Sequence, residues 1–210
     1  MKKALPIILV AIGVIILAMV FRGTKVDRVI NWEETFNEKS NDPYGVSVLY
    51  RELPRLFEGQ QFRTVYHTPY SYLNANSEGG YGDHVAEGNF MIIGNSDYLD
   101  YESVDELLYF VDEGNTLFIS DYWFLERIQD TLDIEVDYIE ELKDSTYQLS
   151  FEAKNLRAFD TDIDKSAEYA YFSSYPEEDL NILGYASRSE NRPNFIDVPF
   201  GNGNIILHLE

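Results

Sequence analysis

The chain has 210 residues, 45% of them hydrophobic, with 16 Lys/Arg against 37 Asp/Glu, a formal net charge of −21 and no cysteine. That length suits one sizeable core with an appendage. The missing cysteine excludes disulfides, thiolate metal sites and cysteine nucleophiles together. Residues 1–28 hold five Lys/Arg and one Asp, so the remainder carries −25, a charge that repels nucleic acid.

The chain opens with "ALPIILVAIGVIILAMVF" (4–21), 18 residues without a charge, flanked by Lys2-Lys3 and by Arg22, Lys25 and Arg28. At about 1.5 Å per residue this matches a hydrocarbon core of about 30 Å, so residues 1–28 read as a retained membrane anchor. A cleaved signal peptide is the competing reading. Its apolar region is shorter, about 7–15 residues, and ends at a small-x-small site that Ala18-Met19-Val20-Phe21 does not supply. Positive charge on both flanks leaves the orientation open.

Residues 29–210 read as one domain, α/β over 29–132 and β-rich over 133–210. "RVINWEETF" (28–36) and "QFRTVYH" (61–67) alternate in strand fashion, and "VSVLYRELPRLF" (46–57) carries a helical apolar face with Pro54 inside it. "TPYSYLNANSEGGYGDH" (68–84) reads as a long surface loop, and Tyr66, Tyr70, Tyr72 and Tyr81 around it form a candidate recognition patch. "NFMIIGNS" (89–96) is a continuous apolar run, the mark of a strand buried on both faces. A helix follows from about Ser103 to Glu113, stopped by Gly114, and then a second buried strand, "TLFIS" (116–120), and a short helix in "WFLERIQDTL". Short β runs follow to the end, with "PFGNGN" as a hairpin signal between the last two, and they read as antiparallel additions to the sheet or a small subdomain. The chain stops directly after a strand, which suggests a fragment of a longer protein.

Strand, helix, strand, helix predicts a mostly parallel sheet with helices on both faces. Asn95, Ser96, Asp97, Ser120 and Asp121 would then converge at the strand C-ends, with Tyr44 of the "NDPYG" turn beside the first helix. This crevice could hold a polar ligand, although Asp97 and Asp121 would repel a phosphate. Cap chemistry is the plainer role for it, with Ser120 or Asp121 capping the next helix. A serine triad is disfavoured, because the flanking glycines of a nucleophile elbow are missing and only His67, His84 and His208 are present. "DTDID" (160–164) spaces carboxylates as a calcium loop does, but Lys165 and Tyr171 stand where that loop needs Gly and Glu. No cofactor and no transition metal is expected.

"NWEETFNEKSNDPYGVSVLYRELPRLF", "DELLYFVDEGNTLFIS" and "VPFGNGNIILHLE" resemble domain of unknown function 4350, a bacterial family described as glutamine-amidotransferase-like. The resemblance implies a flavodoxin-like sheet and an extracytoplasmic domain held at the inner membrane. It also implies a second membrane helix further on and genes beside a MoxR-type ATPase, hence a membrane-associated assembly. Counted from Gly114, the elbow cysteine of an amidotransferase falls at Asp121, which cannot replace a thiolate. The expected function is therefore a membrane-anchored, non-catalytic interaction or ligand-sensing domain with protein partners. The alternative is a carboxylate-dependent hydrolase or carbohydrate-active enzyme using Asp97 and Asp121.

Overall fold

The computed structural model describes residues 30–75, 86–139, 147–163, 169–187 and 189–209. The expected anchor, and most of the 68–84 loop, lie outside them. Among the described residues no helix is long and apolar enough to cross a membrane. The chain divides into two compact units at Glu58/Gly59.

In the first unit, Ser40 N–H and Val46 N–H both donate to the Asn37 carbonyl, and Ser47 Oγ donates to Asn41 Oδ1 at 2.6 Å, which closes a turn. Gly45 sits in it because a Cβ there would overlap the backbone of Ser40. Helix α1 (Ser47–Leu56) follows, and it keeps Pro54 in its last turns without breaking. Residues 30–36, expected as a strand, are irregular. Alternation without a partner edge leaves the backbone groups of a strand unpaired.

The second unit contains helix α2 (Pro69–Asn74), capped by Thr68 with Pro69 at its first position, inside the stretch expected to be loop. Strand β1 (Asn89–Ile93) leads through a 3-10 turn (Ser96–Tyr98) to helix α3 (Tyr101–Asp112). Strand β2 (Thr116–Asp121) and helix α4 (Glu126–Leu132) come next. The remainder is strand: β3 (Glu135–Ile139), β4 (Tyr147–Phe151), β5 (Thr161–Ile163), β6 (Tyr169–Ser174), β7 (Asn181–Ser187), β8 (Arg192–Phe200) and β9 (Gly203–Leu209).

Seven strands form one sheet in the order β1-β2-β9-β8-β7-β4-β5, and β3 pairs with β6 separately. This corrects the flavodoxin-like expectation. Only β1, β2 and β9 are parallel, and β8, β7, β4 and β5 each pair antiparallel to their neighbour. The physical reason is connection length. The links between β7 and β8 and between β8 and β9 are a few residues long, whereas a parallel crossover needs a dozen or more.

Helices on both faces are also not found. The three helices of this unit send Leu73, Val104, Leu107, Phe110, Val111, Ile128 and Leu132 into one cluster with Leu117, Ile119, Ile196, Ile205, Leu207 and Leu209. Strand alternation places those sheet residues on a single face. The other face carries Phe118, Phe195, Ile206 and His208, all half-buried.

The chain's last strand is thus central. β9 runs between β2 and β8 with Ile205, Leu207 and Leu209 fully buried, and Gly203 opens it where a Cβ would overlap the carbonyl oxygens of Asn115 and Val111. The β8–β9 turn also closes α3. Asn202 donates its N–H and its Nδ2 to the Asp112 carbonyl at 3.1 and 2.9 Å, and the expected stop, Gly114, sits at φ +101°.

Candidate functional site

Parallel pairing of β1 and β2 brings their C-terminal ends side by side. Beyond them the chain turns through Gly94 and Asn95, both at positive φ, and Gly94 N–H donates to the Ser120 carbonyl at 2.7 Å. Asp121, 7% exposed, locks the two turns. Its Oδ2 accepts from Ser96 N–H at 2.5 Å and its Oδ1 from Tyr122 N–H at 2.8 Å. Ser96 Oγ in turn donates to the Trp123 carbonyl at 3.2 Å.

Of the residues expected to converge, Ser96 and Asp121 therefore meet, while Asn95 and Asp97 stay exposed at the surface. Tyr44 belongs to the other unit, where its ring meets Phe36 edge-on at 6.4 Å. Neither Ser120 nor Asp121 caps the following helix. The residue before α4 is Leu125, which makes no side-chain cap.

Ser120 points the other way. Adjacent strand residues project to opposite faces, so Ser120 shares the face of His208, its register partner on β9, and Asp121 lies opposite. Ser120 Oγ is 2.9 Å from His208 Nδ1, and the Phe195 ring meets the imidazole edge-on at 5.4 Å. A Ser-His pair is present, but Asp121 cannot serve as its third member across the sheet. Ser120 is also only 6% exposed. The pair ties two strands together and offers no accessible nucleophile.

Burial lowers the His208 pKa below its usual 6.5. A base held neutral in the fold binds fewer protons than it does in the unfolded chain, so stability is full above the unfolded value and falls as pH drops through 6.5. We expect the melting temperature of a His208→Gln variant to change less between pH 7.5 and 5.5 than that of the parent. Equal slopes in the two proteins would remove His208 as the titrating group.

On the outside of the locked turns stands a rim of aromatic rings. Tyr98 is 82% exposed, Tyr101 66%, Trp123 46% and Tyr122 40%. Asp97, Asp100 and Glu102 lie among them, also exposed, and Asp100 additionally caps α3 through Ser103 N–H at 2.8 Å. Exposed aromatic rings gathered at one end of a sheet mark a contact surface. The residues that matter here were missed because "SDY" and "DYW" look like any of the chain's 31 aromatic positions. The signal available was their place, directly after buried strand ends.

Of "DTDID", residues 160–163 are described and 164 lies outside the described residues. Residues 161–163 are strand β5, Asp160 accepts from Phe151 N–H, and Asp162 accepts from Gln148. Among the described residues no His/Asp/Glu group is placed to hold a metal ion.

A mixed-sheet α/β domain, with its strand-end polar groups tied internally and an aromatic, acidic rim outside, is the class of molecule so defined. The chain belongs to the family described as Domain of unknown function (DUF4350), whose model matches residues 38–209. None of the curated proteins compared with it matches. Among solved structures it is similar to a GH42 beta-galactosidase from G. stearothermophilus at 11% identity and TM-score 0.39, over 56% of this chain and 18% of that one. It is also similar to a beta-galactosidase from Bacillus circulans sp. alkalophilus, at 10% identity and TM-score 0.37 over 58% and 20%. An exo-beta-1,4-mannosidase from an Opitutaceae bacterium, strain TAV5, matches at 12% identity and TM-score 0.36 over 57% and 20%. The chain thus spans about a fifth of the length of these proteins.

Proposed function

We propose that this is a non-catalytic protein-recognition domain, tethered to a membrane through the uncharged 4–21 stretch, and that its contact surface is the strand-end rim. The observation that carries this reading is the rim itself. Tyr98, Tyr122 and Trp123 are exposed on turns that Asp121 and Ser96 hold together, and Tyr101 is exposed at the start of α3. Preorganised aromatic groups are the kind of surface that contributes most to binding per residue. The partner is basic. Carboxylates at 97, 100 and 102 surround the rings, guanidinium and ammonium groups pair with both, and a body of −25 steers a cationic surface toward it. The carboxylate-dependent hydrolase is not carried forward, because Asp121 gives both its oxygens to backbone N–H groups.

The test is site-specific photocrosslinking in native membranes, with the crosslinker at position 98 and, as control, at Tyr138 on β3, which is also exposed. The expected result is an adduct at 98 and none at 138, weakening as salt rises. Trp123→Ala should reduce it at least tenfold, since the bond from Ser96 goes to the Trp123 backbone and survives the substitution. Equal labelling at 98 and 138, or no response to Trp123→Ala, would defeat the proposal.

A further inference from the structure

Away from the rim, the end of β6 and residues Glu190, Asn191 and Arg192 line an open-sided cavity of about 440 Å³. That volume lies within the range of small-molecule sites, about 300–1,000 Å³. Tyr171, Ser173, Tyr175, Glu177, Asn191 and Arg192 are among its lining residues, with Phe172 beneath them. The lining is held in place by its own contacts. The Arg192 guanidinium donates to the Tyr169 hydroxyl, pairs with Glu190 at 2.5 Å, and lies 5.8 and 5.2 Å from the Tyr169 and Tyr171 ring centroids.

The chemistry of this lining selects a class of ligand. A phosphate or carboxylate would meet Glu177 and Glu190, and would have to take Arg192 from the carboxylate it already pairs with. A cation would meet that same guanidinium, which already occupies the Tyr169 and Tyr171 rings. What remains is a neutral molecule with many small groups that both donate and accept. Such a molecule would be served by carboxylate acceptors, amide and guanidinium donors, and the Ser173 hydroxyl, which donates to the Glu135 carbonyl at 3.3 Å and can still accept. Two half-buried tyrosines offer ring surface to an apolar C–H face. Burial first, then the Glu177 and Tyr185 charges, raise the Tyr175 pKa, so its phenol stays a protonated donor.

We propose that this cavity binds a neutral carbohydrate of one or two rings. The site is separate from the aromatic rim and stands or falls independently of the partner proposed there. The full chain, reconstituted in lipid nanodiscs, is titrated with cellobiose, maltose and N,N′-diacetylchitobiose by saturation-transfer NMR and calorimetry, with glycine and inorganic phosphate in parallel. The expected result is saturable binding of at least one sugar, and none of glycine or phosphate. The affinity should fall at least tenfold in Tyr175→Ala and in Asn191→Gly. Asn191 is exposed and sits at φ +52°, which glycine adopts without strain, so its variant keeps the turn even where loss of the Tyr175 ring disturbs β6. No saturable sugar binding, binding of glycine or phosphate in its place, or unchanged sugar affinity in Asn191→Gly would each overturn the proposal.

Discussion

Asn115→Ala is expected to remove about 3–5 kcal/mol of stability, a large fraction of the roughly 5–15 kcal/mol typical of a domain. The residue is 7% exposed and sits where β1, α3 and β2 meet. Its Oδ1 accepts from Gly88 N–H at 2.7 Å, and its Nδ2 donates to the Phe110 carbonyl at 2.8 Å and to the Ala86 carbonyl at 3.3 Å. Its own carbonyl accepts from Asn204 N–H, so the same residue fixes the start of β9. Alanine keeps the backbone bond, strands the buried Phe110 carbonyl at about 1–3 kcal/mol, and takes the partner from the part-buried Gly88 N–H and Ala86 carbonyl at a smaller cost each. Urea denaturation should show the midpoint falling with the slope unchanged. Asn202→Ala is the matched control, because its bond to Asp112 is exposed, and its loss should stay below about 1 kcal/mol. A loss at Asn115 no larger than at Asn202 would show that the junction is not held by this side chain.

That junction also separates what was legible in the sequence from what was not. The apolar run of β2, the Gly114 stop and the "GN" hairpin are local signals, and each produced the element expected; the run at β1 is a strand, but an edge strand without a buried residue where burial on both faces was expected. The partner of β9 is not a local property. Ile205, Leu207 and Leu209 alternate as any half-buried strand does, and nothing near them says that they will lie parallel to Leu117 and Ile119, far earlier in the chain. Antiparallel additions were readable from the short turns of the second half; what was missed is their share, since β8, β7, β4 and β5 make up four of the seven strands and the sheet is not mostly parallel. The helix at 69–74 was readable from Thr68-Pro69, a cap followed by Pro at the first helical position, but the Gly/Ser/Asn-rich residues after it suggested loop. Period-two geometry alone could have parted Ser120 from Asp121. Two adjacent strand residues cannot serve one site on one face, so the expected polar crevice became a lock on one side and a Ser-His tie on the other. Arg192 carried no signal, since its aromatic partners reach it only once β6 lies beside β8.

Asp121→Ala should cost about 2–4 kcal/mol, because it leaves the Ser96 and Tyr122 N–H groups without their buried acceptor. A side-chain cap to an ordinary helix would be worth only about 1 kcal/mol, and the difference measures how much of the turn geometry depends on one carboxylate. Asp121→Asn keeps one acceptor oxygen in place and should recover part of the loss. Ser120→Ala, on the opposite face, removes the bond to His208 and is expected to cost about 1 kcal/mol with no effect on the rim. Stability alone does not separate a lock from a packing residue, so the same variants are to be compared by crosslinking at position 98 under conditions where all of them remain folded. If Asp121 positions the rim, Asp121→Ala and Asp121→Asn lose adduct in the order in which they lose acceptors, while Ser120→Ala matches the parent. If Asp121→Ala is destabilised but labels normally, the rings are placed by their own packing and the carboxylate serves the fold alone. In the first case the Asp121 carboxylate holds two strand-end turns at the spacing a partner reads.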